Sequence, residues 1–287
     1  MQPRMIANYD CICGEGPLWH PLEKKLYWAD IASARVFRYD PHSETHEQVI
    51  DGKVLGGFTI QADGKLLLFG DNGSVRTWHD GVIESVIESI PGEEGARFND
   101  VIADPEGRVF CGTLPGKGHL GSLYRLDRDG SVTKLVGGIG CSNGMGFTAG
   151  LTQMYYTDST VGRIYLFDYD RATGALSNQR DFVSVDPATE GLPDGMTVDA
   201  EGNVWSARWD GSAVFKYAPD GRELARIELP ARKITSVIFG GDDLADLYIT
   251  TAIGDKGKAG EGEGAGGLFV LRPGVRGVPE FYSRILL

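Results

Sequence analysis

The chain has 287 residues, of which 41% are apolar, and its formal net charge is −12 at pH 7. This length can bury a large core, and a radial β-architecture can use it as one unit, so we expect a single domain over residues 1–287. The acidic balance argues against nucleic acid and anionic membrane as partners, because both attract basic surfaces. A small molecule is the expected partner.

No segment has the apolar character of a secretory signal or a transmembrane helix. The chain has four cysteines, too few and too irregularly spaced for a disulfide framework: Cys11, Cys13, Cys111 and Cys141. We therefore expect a cytoplasmic protein with reduced thiols.

One short sequence unit repeats six times along the chain. Each copy has a leading residue, a short apolar strand, and turn residues that begin five positions after the leading residue. The leading residues are Glu15, Gly56, Asn99, Asn143, Asp194 and Thr235. Their spacings of 41, 43, 44, 51 and 41 residues are typical of propeller blades.

Further strands align after each turn. Second strands are predicted at residues 26–30, 66–70, 109–113, 154–158, 204–208 and 247–251. Third strands are predicted at residues 36–39, 75–78, 123–126, 164–167, 214–217 and 268–271. Fourth strands are less regular. Four strands repeated six times predict an all-β fold, the six-bladed β-propeller.

Three segments lie outside this pattern. Residues 4–9 and 280–285, at the two ends of the chain, are predicted to complete one blade together and close the ring. Residues 254–267 are rich in glycine and charge, and they are predicted to form a flexible loop in the last blade, either a surface insertion or a lid.

The leading residues are candidates for a metal site. Since they share one position, just before the first strand of each blade, we expect their side chains to meet at one mouth of the central channel. Glu15, Asn99, Asn143 and Asp194 offer side-chain oxygens, which suit a hard divalent cation. Asn-Gly and Asp-Gly alone would indicate turns, but Glu15 is a poor turn former and each unit has its own turn further on.

Arg97 lies two residues before a leading position, where alternation along a strand predicts that it faces the same mouth. Its guanidinium could hold substrate oxygens or a developing oxyanion. Cys13 and Cys141 occupy the equivalent position and are interpreted as small buried hydrophobic residues.

Five motifs occur in order along nearly the whole chain: GEGPLW at 14–19, RFND at 97–100, SNGMGF at 142–147, YYTDST at 155–160 and LPDGMTVDAEGNVW at 192–205. Together they resemble the family of gluconolactonase, regucalcin (senescence marker protein) and luciferin-regenerating enzyme. The resemblance implies a six-bladed propeller with one divalent metal at the channel mouth. The loop after Thr113 is shorter than in regucalcin-like sequences and in this respect is similar to bacterial aldonolactonases.

The resemblance also implies roles for five residues. Glu15, Asn143 and Asp194 match the metal ligands, Arg97 and Asn99 match the substrate-binding pair, and Asp194 also matches the general base. We therefore expect a metal-dependent sugar lactonase that converts a pentono- or hexono-lactone to the aldonic acid. The metal polarises the carbonyl and Asp194 activates water.

Three points stay open at this stage. All-oxygen ligands accept calcium, zinc, manganese, magnesium or ferrous iron. A non-catalytic calcium-binding regulatory propeller and a metal-dependent phosphotriesterase-like hydrolase are the alternative functions. Neither the particular sugar nor the oligomeric state follows from the sequence.

Overall fold

The computed structural model describes residues 2–52, 54–255 and 257–287. Within these ranges, 24 strands form six four-stranded sheets, accompanied by a 3-10 helix, η1 (Ser159–Val161), and a single-turn helix, α1 (Pro187–Glu190). The sheets are the six blades of a β-propeller, which confirms the predicted all-β fold class. None of the helices in the described ranges is long and apolar enough to cross a membrane.

The described residues divide into two compact units, one made of residues 2–52, 182–255 and 257–279 and the other of residues 54–181 and 280–287. Each unit contains its own buried apolar clusters. The single domain expected over 1–287 stays a prediction.

Three sheets belong to the first unit. One sheet contains β2 (Gly14–His20), β3 (Lys25–Asp30), β4 (Arg35–Asp40) and β5 (Thr45–Asp51). Another contains β18 (Leu192–Val198), β19 (Val204–Trp209), β20 (Ala213–Tyr217) and β21 (Glu223–Glu228). The third is ordered β1 (Arg4–Asn8), β24 (Gly267–Leu271), β23 (Asp246–Ala252) and β22 (Lys233–Gly240). The N-terminal strand therefore completes the last blade, as predicted.

The other three sheets belong to the second unit, apart from the end of β17, which the first unit includes from Phe182 onward. One contains β6 (Gly57–Ile60), β7 (Leu66–Phe69), β8 (Val75–His79) and β9 (Val82–Ile87). The next contains β10 (Phe98–Ala103), β11 (Val109–Thr113), β12 (Gly121–Leu126) and β13 (Val132–Ile139). The last contains β14 (Ser142–Phe147), β15 (Gln153–Asp158), β16 (Arg163–Asp170) and β17 (Ala175–Ser184).

The C-terminal segment does not share a blade with the N-terminal strand, so this part of the prediction was wrong. Ser283 forms a parallel bridge with Gln61. The Gln61 side chain donates to the main-chain oxygen of Ile285 at 3.0 Å and accepts from its main-chain nitrogen at 3.0 Å. Because Ile285 is also buried in an apolar cluster of the second unit, the segment is held there by both packing and hydrogen bonds.

Aromatic packing fixes the register of the strand that carries Asn99. Phe98 is fully buried, and its ring lies 5.3 Å from that of Phe69 in an edge-to-face arrangement. Burial of such a side chain stabilises the fold by about 1.5–3 kcal/mol. Phe98 packs in this cluster, whereas the side chain of the next residue, Asn99, contacts Ser142 and Asn143.

The glycine-rich segment lies between β23 and β24, as predicted. Its Glu261 is buried, and one carboxylate oxygen accepts from Lys233 Nζ at 2.8 Å. The same ammonium donates to Asp210 at 2.7 Å, so the segment is tied to the start of β22. Whether it acts as a lid stays a prediction.

Candidate functional site

Most leading residues lie within the first strands, not before them as predicted. Only Gly56 immediately precedes its strand. In the other five blades, the pairing of the first and second strands shifts register at the leading residue: between Glu15 and Leu18, Phe98 and Val101, Asn143 and Met145, Pro193 and Met196, and Ile234 and Ser236. Such bulges re-aim a side chain while the strand continues, and they are frequent beside active sites.

In the first unit, β22 contacts both β2, which carries Glu15, and β18, which carries Asp194. Thr235 on β22 donates to the main-chain oxygen of Gly14 at 2.5 Å, next to Glu15. A side chain at Gly195, next to Asp194, would collide with the side chain of the β22 residue Ser236. Glycine at this position therefore allows β18 to approach β22 closely.

The carboxylates of Glu15 and Asp194, both in the first unit, are well shielded from solvent. Glu15 is 4% exposed and Asp194 is 5% exposed. One Glu15 carboxylate oxygen accepts from the main-chain nitrogen of Gly16 at 3.0 Å. Buried carboxylates are stable when they are paired or coordinate a metal, so their burial is compatible with the predicted metal ligands.

In the second unit, the structure brings Arg97, Asn99 and Asn143 into one hydrogen-bonded chain. Arg97 Nη1 donates to Asn99 Oδ1 at 2.8 Å, and Asn99 Nδ2 donates to Asn143 Oδ1 at 2.7 Å. Asn99 Nδ2 also donates to the main-chain oxygen of Ser142 at 2.7 Å. The predicted substrate-binding pair is therefore in direct contact with a predicted metal ligand.

Hydrogen bonds fix the orientation of the Asn143 amide. Its Nδ2 donates to Ser159 Oγ at 2.7 Å, which directs Oδ1 the other way. In the part of the chain that the structure describes, Oδ1 accepts one hydrogen bond, from Asn99. An amide oxygen has two lone pairs, so one is left for a cation.

Asn99 and Arg97 differ in what they can still offer a substrate. Both amide hydrogens of Asn99 are donated within the protein. Arg97 is half-buried and uses only Nη1, which donates to Asn99 and to the main-chain oxygen of Phe98. Its Nη2 and Nε make no hydrogen bond within the described ranges. Of this pair, Arg97 is therefore the residue with N–H donors left to offer a substrate.

Asp100, which the sequence analysis did not single out, directly follows Asn99 and is half-buried. Phe98 pairs with Thr113 and Val101 with Cys111, so the bulge contains both Asn99 and Asp100. Burial raises the pKa of the Asp100 carboxyl to about 7, although the charge of Arg97 opposes this shift. The sequence contains a signal for Asp100. Glycine follows the leading residue in the units of Glu15, Asn143 and Asp194, whereas an aspartate follows Asn99.

Gly56 is the leading residue without a side-chain oxygen, and the structure gives a steric reason for it. A Cβ atom there would collide with the main-chain carbonyl of Phe98, just before Asn99. We expect Gly56→Ala to lower the free energy of unfolding by about 3 kcal/mol, the upper end of the usual cost of overpacking. Urea denaturation would measure the change. Gly150→Ala, where the added methyl meets only Thr152 Oγ1 at 3.7 Å, is the control, and equal losses would contradict the steric account.

The described residues contain no group of three or more His, Cys, Asp and Glu side chains that could hold a metal ion. The predicted ligand set is of a different composition, since it has two carboxylates and one amide. All three donors are hard oxygens, which fits a divalent cation that prefers oxygen.

Comparisons with known proteins define the family. The chain matches the SMP-30/Gluconolactonase/LRE-like region over residues 13–253. It is 49% identical over 288 residues to the pentonolactonase XacC of Haloferax volcanii, with 98% of each chain covered. The protein therefore belongs to the SMP-30/gluconolactonase/luciferin-regenerating enzyme family, which confirms the resemblance seen in its motifs.

Solved structures agree over almost the entire chain. A luciferin-regenerating enzyme has a TM-score of 0.89 at 28% identity, covering 99% of this chain and 100% of the other. A calcium-binding protein, regucalcin, from Agrobacterium tumefaciens also has a TM-score of 0.89 at 28% identity, covering 99% and 97%. The similarity thus extends over all six blades.

Proposed function

We propose that this protein is a metal-dependent lactonase that hydrolyses an aldono-lactone to the aldonic acid. The observation that carries the proposal is the 49% identity to a pentonolactonase over 98% of both chains. A pentono-lactone is therefore the first substrate to test, and a hexono-lactone is the second.

Glu15, Asn143 and Asp194 are the proposed cation ligands. Their support is the shared position in three blades, side chains that are at most 5% exposed, and the lone pair that remains on Asn143 Oδ1. The bound cation would supply Lewis-acid polarisation of the lactone carbonyl. Calcium, zinc, manganese, magnesium and ferrous iron are all compatible with these ligands.

The chain's own side chains carry the remaining steps. Asp194 acts as the general base and accepts a proton from the attacking water. Arg97 donates through Nη2 and Nε to lactone oxygens and stabilises the negative charge that develops on the carbonyl oxygen. Asn99 holds both the Arg97 guanidinium and the Asn143 amide in place through its hydrogen bonds. The acyl–oxygen bond of the ring ester then breaks, the departing ring oxygen takes up the proton held by Asp194, and the aldonic acid is released.

Metal removal tests this proposal directly. We expect metal-stripped protein to release protons from xylono- and arabino-lactone at least about 100-fold more slowly than protein to which a divalent cation has been restored. This corresponds to about 3 kcal/mol of Lewis-acid stabilisation. A pH indicator would follow the reaction against spontaneous hydrolysis, with glucono- and galactono-lactone for comparison. Equal rates with and without metal would contradict the metal-dependent mechanism.

A second candidate, a calcium-binding regulatory propeller without catalysis, is favoured by the similarity to the calcium-binding regucalcin structure. Tight calcium binding without hydrolysis of any lactone would support it. Adding a phosphotriester to the panel separates both functions from a phosphotriesterase-like hydrolase.

A further inference from the structure

Two buried aspartates occupy equivalent places in the two sheets that carry Glu15 and Asn143. Asp30 is the last residue of β3 and pairs with Gly14, the residue before Glu15. Asp158 is the last residue of β15 and pairs with Ser142, the residue before Asn143. Asp30 is 0% exposed and Asp158 is 4% exposed.

The Asp30 carboxylate holds the main chain that leads into β2. Its Oδ1 accepts from the nitrogen of Cys13 at 3.0 Å, and its Oδ2 accepts from the nitrogen of Ile12 at 3.2 Å. The oxygen of Cys13 accepts from the nitrogen of Ile31 at 3.0 Å, so the residue two positions before Glu15 is held at both main-chain groups. Arg35 Nη2 donates to Oδ2 at 2.8 Å and compensates the buried charge.

Asp158 repeats this arrangement at β14. Its Oδ1 accepts from the nitrogen of Cys141 at 3.1 Å, and its Oδ2 accepts from the nitrogen of Gly140 at 3.1 Å. The oxygen of Cys141 accepts from the nitrogen of Ser159 at 3.1 Å. Ser159 Oγ in turn accepts from Asn143 Nδ2, so the Asp158 turn also supplies the contact that orients the Asn143 amide.

A buried aspartate that pairs with the residue before the leading residue is not found in every sheet. In the other three sheets whose pairing is described at this position, the equivalent residues are Thr113, Arg208 and Thr251. A general requirement of the blade would place a carboxylate in these sheets as well. Among the three proposed ligands, a buried aspartate stands at this place beside Glu15 and Asn143, whereas Arg208 stands there beside Asp194.

We infer that Asp30 and Asp158 are positioning residues that preorganise Glu15 and Asn143 for the cation by fixing the main chain two residues before each. This inference rests on the proposed function. Groups that orient the ligands of a metal commonly change its affinity by about 10- to 100-fold when they are removed.

The test compares four aspartate-to-asparagine variants of the full chain. D30N and D158N replace one accepting oxygen by an amide that faces main-chain donors. D199N and D104N are matched controls in the first and second unit, because these buried aspartates also hold main-chain amides, at 201 and 203 and at 106 and 108. Manganese affinity would be measured from the loss of the free-ion electron paramagnetic resonance signal, and stability from urea denaturation.

We expect D30N and D158N to bind manganese about 10- to 100-fold more weakly than wild type, whereas D199N and D104N stay within about threefold despite comparable losses of stability. Equal affinities in all four variants would overturn the inference while leaving the proposed function intact. A wild-type protein that binds no divalent cation would overturn both.

Hydrogen exchange of the wild-type protein provides a second test that does not depend on the folding of any variant. We expect manganese to slow amide exchange at residues 12–15 and 140–143 but not at 105–108 or 200–203. Unchanged exchange at 12–15 and 140–143 in protein that binds manganese would contradict the inference.

Discussion

Asp194→Ala is expected to lower kcat/KM for the lactone by at least about 1,000-fold, because it removes a cation ligand and the general base together. General-base catalysis alone typically contributes 10²- to 10⁴-fold. Asp194→Asn separates the two roles, since the amide keeps one oxygen donor but cannot accept the proton. At saturating metal, this variant should still bind the cation and yet turn over about 100-fold more slowly or worse.

Steady-state kinetics across a metal titration, together with the dissociation constant of the metal, would measure both effects. Asp199→Asn is a suitable control, because Asp199 is buried in the same blade and holds a turn five residues further on. If Asp194→Asn regains wild-type kcat once metal is saturating, Asp194 is a ligand but not the base. If Asp194→Ala retains activity, the proposed mechanism fails.

The fold could be predicted because one short sequence pattern occurs six times along the chain. Six copies of one pattern fix the number of blades and the order of strands, even where a single strand such as the one after Gly56 is short. The C-terminal segment has no counterpart in the repeats. The position of this segment depends on the hydrogen bonds between the Gln61 amide and the main chain of Ile285. A repeating sequence pattern cannot predict a single long-range contact of this kind.

The candidate site was predictable in composition but not in detail. The register of the repeats identified Glu15, Asn143 and Asp194, yet the bulges that place them inside strands depend on pairing with the second strand. The hydrogen bond from Asn99 to Asn143 joins two blades, so neither repeat encodes it alone. The raised pKa of Asp100 arises from desolvation in the folded chain, so the sequence pattern alone does not report it.

Arg97→Ala is expected to lower kcat/KM by about 10²- to 10³-fold, which is the usual loss when one donor to a developing oxyanion is removed. Metal affinity should change by less than about threefold, because the guanidinium is not among the proposed ligands. The loss should appear in kcat when Arg97 acts mainly in the transition state and in KM when it only binds the sugar.

Arg97→Lys distinguishes the guanidinium fork from a simple positive charge. In the structure, Nη1 is already engaged by Asn99 and by the Phe98 carbonyl, so a contact to substrate requires the other nitrogens of the fork. A lysine has one ammonium for both tasks and should restore less than about a tenth of the lost rate. Arg125→Ala is the matched control. Arg125 lies in β12, in the same sheet as Asn99, is half-buried and is paired with Asp127. Wild-type kinetics for Arg97→Ala would remove Arg97 from the active site and leave its bond to Asn99 as a purely structural contact.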